Sequence, residues 1–334
     1  MIDFSNGISA TYYAAKVNPQ TWADGEEVLI ISGSISKNAD SDLVQSADIT
    51  VSEDVGAEEW IRVYMIAEQS GAKTRAPLFT GIASSPQRDI RGGAETRKLE
   101  CYSVLKVAAD ILLPIGWFAP ARTNGGELIR ILLSDLPCPV ELDGGSPYIL
   151  SSFVAGNNDS KLSVAQEIAE AINWQIKVNG DGSVRICPKP ITISGTFDSI
   201  ENDIIETSVT ENQDIFSVPN VVRVTLDGSA ATARDDDPDS IYSTVNRGRQ
   251  IWVQEDATLA AGESLGEFAL RRLKELQNPS RKLIYTRRFQ PDVDVNDLVS
   301  IVYPKQSIGD VFRVQSQTIT LSHGAKVKEE VINE

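Results

Sequence analysis

Short runs in which apolar and polar residues alternate, each closed by Gly, Asn, Asp or Ser, occur toward both ends of the chain and most constrain its fold. Glu27 to Ser36 and Glu59 to Ala67 carry Val, Ile, Trp and Tyr in near-alternation, the pattern of strands with one buried face. Pro77 to Ser84 and Glu95 to Tyr102 read as a long hairpin across a polar segment containing Gly92-Gly93. After Pro190, Asn220 to Leu226 and Gln250 to Glu255 read as strands. Lys282 to Gln290, Leu298 to Tyr303, Asp310 to Gln317 and Lys326 to Ile332 then suggest a terminal meander, with Gly309 and Gly324 at turns.

Between these regions the period changes. Leu105, Ala108, Ala109 and Leu112 predict a short amphipathic helix stopped before Pro114. Glu127 to Leu136, bracketed by Gly125-Gly126 and Pro137, predicts a second. Ser163 to Gln166 fits a capping box for a third, whose stripe is Leu162, Ala165, Ile168, Ala169 and Ile172. Asn179-Gly180-Asp181-Gly182 then predicts a hairpin turn between Gln175 to Val178 and Val184 to Cys187. A further helix over 263–277, capped by Ser264 and Glu267 and ended at Asn278-Pro279, is embedded in the last region. The expected class is mainly β with an α/β insertion.

The 334 residues suggest roughly two domains, or one large one with an insertion. With 31 basic and 47 acidic residues the formal charge is −16, which opposes standing nucleic-acid binding through phosphate neutralisation. The most apolar stretch, Val107 to Ala121, is broken by Asp110 and Pro114, so no membrane span and no stable membrane association are expected. Met1 to Asn6 lacks a positive segment followed by an apolar one, so signal-dependent export is not expected.

Cys101, Cys138 and Cys187 are isolated from one another and read as small buried hydrophobes, suggesting neither disulfides nor a zinc site. One histidine, His323 in a predicted turn, excludes multi-histidine metal centres. Phosphate-loop, dinucleotide-binding and nucleophile-elbow motifs are missing. Asp292 to Asn296 resembles the start of a calcium loop, but Asp297 and Tyr303 stand where Gly and Glu are needed. The acidic stretch Asp235 to Asp239 reads as a solvated loop, with cation binding left open. No catalytic residue, cofactor or metal is expected. Arg271, Arg272, Lys274, Arg281, Lys282, Arg287 and Arg288 are the one basic concentration. Its plain reading is a solvated helix face and strand edge. The functional reading gives Arg271, Arg272, Arg281, Arg287 and Arg288 an electrostatic contact between subunits. Arg287 shares strand parity with Leu283, Tyr285 and Phe289, which points it toward packed protein.

Three stretches resemble the hub proteins of bacteriophage tails and baseplates, the family of late-control D proteins and their relatives in contractile injection machines. Pro77 to Tyr102 is similar to the family's "lFtG" strand followed by a "kLeCys.l" strand-to-helix step. Gln166 to Pro188, ending NWQIKVNGDGSVRICP, resembles its helix, hairpin and "dG.v.i.p" strand. Phe289 to Val327 resembles a terminal pattern containing "vGD.V", with Asn296-Asp297 replacing the common Gly-Asp. The resemblance implies two tube-like β-barrel domains with smaller α/β elements: 1–105 as a first barrel, possible in discontinuous form, 106–192 as the α/β insertion, and 193–334 as a second barrel. It implies a non-enzymatic homotrimeric ring in the virion tail, assembled in the host cytoplasm, adapting a sixfold tail tube to a threefold central spike or tail-tip protein. Tape-measure protein and DNA would pass its channel, DNA only in transit, and acidic walls would discourage phosphate from sticking. Two alternatives stand beside it. One is a carbohydrate-binding or carbohydrate-cleaving tail protein using paired carboxylates and a platform drawn from Trp22, Trp60, Trp117, Trp174 and Trp252. The other is a receptor-binding module.

Overall fold

The computed structural model describes residues 2–333 except 5, 92–93, 201–203, 205, 207, 214, 227, 258–263 and 278–280. In chain order the elements are β1 (Ser9–Val17), β2 (Asp24–Asn38), β3 (Gln45–Val51), β4 (Trp60–Gln69), β5 (Ala72–Ala83), β6 (Gln87–Arg91), β7 (Ala94–Ser103), α1 (Lys106–Asp110), β8 (Phe118–Ala119) and α2 (Gly125–Leu132). Then follow β9 (Val140–Leu142), β10 (Phe153–Val154), α3 (Lys161–Ala171), β11 (Trp174–Val178), β12 (Val184–Pro188), β13 (Ile193–Asp198), β14 (Thr210–Gln213), β15 (Val221–Leu226) and β16 (Ser229–Arg234). The last are α4 (Thr244–Arg247), β17 (Trp252–Asp256), α5 (Leu265–Leu276), β18 (Arg281–Arg288), β19 (Leu298–Tyr303), β20 (Ile308–Thr320) and β21 (Lys326–Asn333). The protein is mainly β, as its alternating runs predict. It divides into two compact units: Met1–Val209 with Ile284–Val331, and Thr210–Leu283 with Ile332–Glu334.

In the first unit the principal sheet runs β1-β4-β5-β7-β3-β2-β20-β21-β18, and β1 also pairs with β2. The first six strands therefore form a closed circuit of antiparallel pairings, from Tyr13↔Tyr64 on one side of β1 round to Tyr13↔Leu29 on the other. A closed circuit leaves none of its strands as a free edge. Its apolar residues include Ala14, Ile35, Ile49, Ile61, Val63, Met65, Phe79 and Leu99, each 1 % exposed or less. They form a core that Ile319 and Val327 of the C-terminal strands join.

β20 joins the N- and C-terminal parts of the sheet. Its first half pairs with β19 (Leu298↔Arg313 to Tyr303↔Ile308) and its second half with β2 (Ser34↔Thr320 to Asn38↔Ser316). The terminal strands are thus not a simple meander, because β18 lies beside β21 and β19 beside β20. The long hairpin expected between Pro77 and Tyr102 is also built differently. β5 pairs along its length with β4 and meets β7 over only Gly81↔Ser103 to Ala83↔Cys101, while β6 makes the hairpin with β7. Gly92-Gly93 lies outside the described residues.

The segment from α1 to β12 has its own core, in which α2 and α3 pack on the small sheet β11-β12-β9. The Asn124 side chain caps α2 by accepting from the Glu127 N–H, so Gly125 and Gly126 sit inside the first turn rather than before the helix. Packing explains the shift: a Cβ on Gly126 would stand 2.6 Å from both Leu142 and Ser146 side-chain atoms. The capping box of α3 is Ser160 with Ser163, three residues earlier than the spacing predicts, because Ser160 is the last extended residue and Leu162 is already helical. β11 and β12 form the hairpin predicted around Asn179 to Gly182.

In the second unit β15 pairs antiparallel with β16 and parallel with β17. α5 buries Phe268, Ala269 and Leu273 against Val222, Val224 and Ala233. Its capping box is Ser264 and Glu267, as predicted, and its expected stop at Asn278-Pro279 lies outside the described residues.

Candidate functional site

The buried polar groups of the first unit join strands that are far apart in sequence. Arg287 points inward with Leu283 and Tyr285 on the predicted parity, and is 0 % exposed, as is Glu329 of β21. Arg287 donates from Nε to Glu329 Oε2 at 2.8 Å and from Nη2 to Oε1 at 2.7 Å. Gln317 of β20 donates to the same Oε1 at 2.7 Å, and the Tyr285 hydroxyl donates to Oε2. Three adjacent strands thus share one fully bonded charge pair, roofed by the Phe197 ring 4.6 Å from the guanidinium carbon. Burial works against the Arg287 charge, and Glu329 outweighs it, holding the guanidinium above its ordinary pKa.

A second pair ties β2 to the turn before β19. Lys37 Nζ contacts both Asp294 oxygens, at 2.9 and 3.0 Å, and Lys177 lies 3.9 Å away. Burial would raise the Asp294 pKa, but the two lysines and the Val295 N–H outweigh it and hold the carboxyl below its usual range. Asp297 accepts from the Asp294 N–H at 2.8 Å, and burial pushes its own pKa up. Asn296 takes φ +67, the left-handed conformation that Gly would adopt at this turn. The stretch that resembles a calcium loop is therefore an ion-paired turn.

A third construction locks the β11–β12 hairpin to the closed circuit. Thr80 Oγ1 donates to the Gly180 carbonyl at 2.8 Å, while Arg62 Nη2 and Trp22 Nε1 each donate to the Asp181 carbonyl at 3.0 Å. Arg62 is set by Asp24 at 2.6 Å, and Asp24 also accepts from Tyr64 at 2.6 Å and Arg75 at 3.0 Å. Gly180 packs so closely that a Cβ would lie 2.0 Å from the Pro77 carbonyl oxygen.

The five arginines singled out by sequence divide between the two units. Arg271, Arg272 and Arg281 belong to the second unit, Arg287 and Arg288 to the first. Arg271 pairs with Glu275 at 2.9 Å, Arg272 grips Glu255 at 2.7 and 3.2 Å, and Arg281 pairs with Glu211. Arg287 makes its ion pair within its own chain. The acidic loop is similarly engaged: Asp235 accepts from Ser240 and from Gln277 at 2.8 Å, Asp236 from Arg234, and Asp237 from the Asp239 N–H at 2.9 Å. Among the described residues no group of three or more His, Cys, Asp or Glu is placed to hold a metal ion.

All three cysteines are buried, and burial pushes the Cys101 and Cys138 thiols up to about 12, away from thiolate chemistry. His323 sits in a turn whose carbonyl accepts from the Ala10 N–H at 2.8 Å. Trp22, Trp60, Trp117 and Trp174 pack in or against the core of the α1–β12 segment, so they build no common exposed platform; Trp252 is 55 % exposed. Among the described residues no helix is long and apolar enough to cross a membrane.

Sequence reading missed the partners Glu329 and Lys37, which only long-range strand pairing reveals. No family model matches the chain, and no curated protein matches it. Solved structures do match along its whole length. The 43 kDa tail protein of prophage MuSo2 from Shewanella oneidensis is 11 % identical, with 97 % of this chain and 98 % of that chain covered and a TM-score of 0.67. A tail protein from Neisseria meningitidis MC58 is 13 % identical over 98 % of this chain and 97 % of that one, also at 0.67. This chain has the fold of phage tail proteins. The tail-protein fold recurs in prophage tail protein gp18 from Listeria monocytogenes EGD-e, 11 % identical over 97 % and 94 % of the two chains with a TM-score of 0.53. At these identities the likeness lies in backbone architecture rather than in shared site residues.

Proposed function

We propose that this protein is a non-enzymatic structural component of a phage tail or baseplate, located in the virion tail and built as a homotrimeric hub. The observation that carries the reading is the end-to-end similarity of fold to tail proteins, with nearly all of both chains covered. The closed circuit of six strands supports a tube-like barrel within 1–105; a second barrel is proposed within 193–334, with 106–192 as an appended α/β element. Three copies of two barrels would present a pseudo-sixfold face to a tail tube protein and a threefold face to a central spike or tail-tip protein. Tape-measure protein and DNA would pass through the ring, and a chain of net charge −16 suits a channel that must not retain phosphate. The exposed Arg271 and the partly exposed Arg272, Arg281 and Arg288 are proposed to contact a neighbouring subunit, whereas Arg287 is fully buried and is left out of that contact.

The test is the solution mass of the full chain by light scattering, with negative-stain images of the same sample. The expected result is three times the 36.4 kDa chain and threefold rings with a central channel. A monomer across the whole concentration range would overturn the ring and direct attention to glycan binding and cleavage.

A further inference from the structure

Two stretches of the α1–β12 segment run antiparallel as one irregular ribbon. Leu112 bridges Ser160, the Leu113 N–H donates to the Asp159 carbonyl at 2.9 Å, and Phe118 pairs with Val154. Further along, the Ile149 N–H donates to the Thr123 carbonyl at 2.9 Å and Asn124 bridges Tyr148. One face of this ribbon is core: Leu113, Ala119, Ile149 and Ala155 are all buried. An antiparallel ribbon with one buried face ordinarily carries polar residues on the other. Here the outer face carries Leu112, Ile115, Phe118, Tyr148, Leu150 and Val154, each at least 56 % exposed and Leu150 93 %. A contiguous exposed apolar stripe of this kind marks an interaction surface.

Charge says which partner covers it. Residues 111–125 and 144–158 hold a single charged residue, Arg122, in thirty positions, where the chain-wide 23 % would place about seven. Depletion of charge is the compositional mark of an interface core. A basic partner of a different kind would gain most from the acidic faces of this molecule. A second copy carries the same charge of −16 and is repelled by those faces, so self-contact favours a stretch that adds no like charge. We propose that the outer face of this ribbon packs against the next copy of the chain, an inference that rests on the trimeric reading above.

The test compares the full-length protein with Phe118→Asp and Leu150→Asp by light scattering at physiological salt, with circular dichroism and thermal melting as folding controls. The expected result is an assembled wild type and variants at monomer mass, folded, with association weakened at least about 100-fold. A photo-crosslinking amino acid at position 150, which keeps an apolar side chain there, is expected to give a product of two chains. Variants that assemble like the wild type, or crosslinks confined to one chain, would overturn this surface while leaving the trimer intact. A wild type that stays monomeric would remove the trimeric reading and this surface with it.

Discussion

Arg287 and Glu329 are each surrounded by apolar parity: Leu283 and Tyr285 precede the arginine, and Val327 and Val331 flank the glutamate. A charged residue on the buried face of a strand is legible in sequence, but its partner is not, because pairing β18 with β21 is a property of the sheet. Replacing one member leaves the other charged and unpaired in the core, which costs about 3–5 kcal/mol. Arg287→Met and Glu329→Leu should each lose this much in urea denaturation, and the double variant should lose clearly less than their sum. Additive losses would mean that the pair is not coupled. Asp294 gives a pH signature. Its pKa is held below the ordinary carboxylate value near 3.9, so the stability from its ionised form is present above about pH 4 and is lost as pH falls through the depressed pKa. The stability gap between wild type and Asp294→Asn should therefore be constant near neutrality and shrink below pH 4. Asp297, whose pKa is raised, contributes with the opposite sign in both proteins and largely cancels in that difference.

At the scale of the element, local chemistry and packing divide the work. Asn-Gly-Asp-Gly is a turn by composition, and the β11–β12 hairpin forms there. Composition does not reveal that Gly180 is also a contact surface, since the Pro77 carbonyl that would meet its Cβ lies on another element. Gly180→Ala should destabilise by about 1–3 kcal/mol, because the obstructing atom is backbone and cannot rotate away. Hydrogen exchange should show the hairpin amides loosening more than those of β3. Unchanged protection would mean the tip is not clamped. The same limit explains the helix starts that moved. Gly125 and Gly126 read as breakers, yet they are helical because only glycine fits beneath Ile172, Leu142 and Ser146. Ser160 displaced Ser163 as N-cap because the ribbon ending at the Leu112 bridge sets where α3 begins. In α5 Ser264 caps the helix where the spacing predicts.

For the whole molecule, assembly and charge set the terms. Copies of net charge −16 repel one another over a Debye length of about 8 Å at physiological ionic strength, so the mass measurement belongs at that salt or above, where contacts between apolar faces are unmasked. The sequence alone determined the β-rich class, the positions of most strands and helices, the burial of the three isolated cysteines and the inward parity of Arg287. It could do so because alternation, capping and turn chemistry act over a few neighbouring residues. Tertiary structure alone decided that six strands close on themselves, that β20 welds the two ends of the chain into one sheet, and that Glu329 meets Arg287. It also decided that the uncharged stretches around Phe118 and Leu150 lie side by side with their apolar residues outward. Those outcomes depend on which distant strands pair and in what register, and the free energy that selects the pairing comes from burying both faces at once, which no local window of sequence contains.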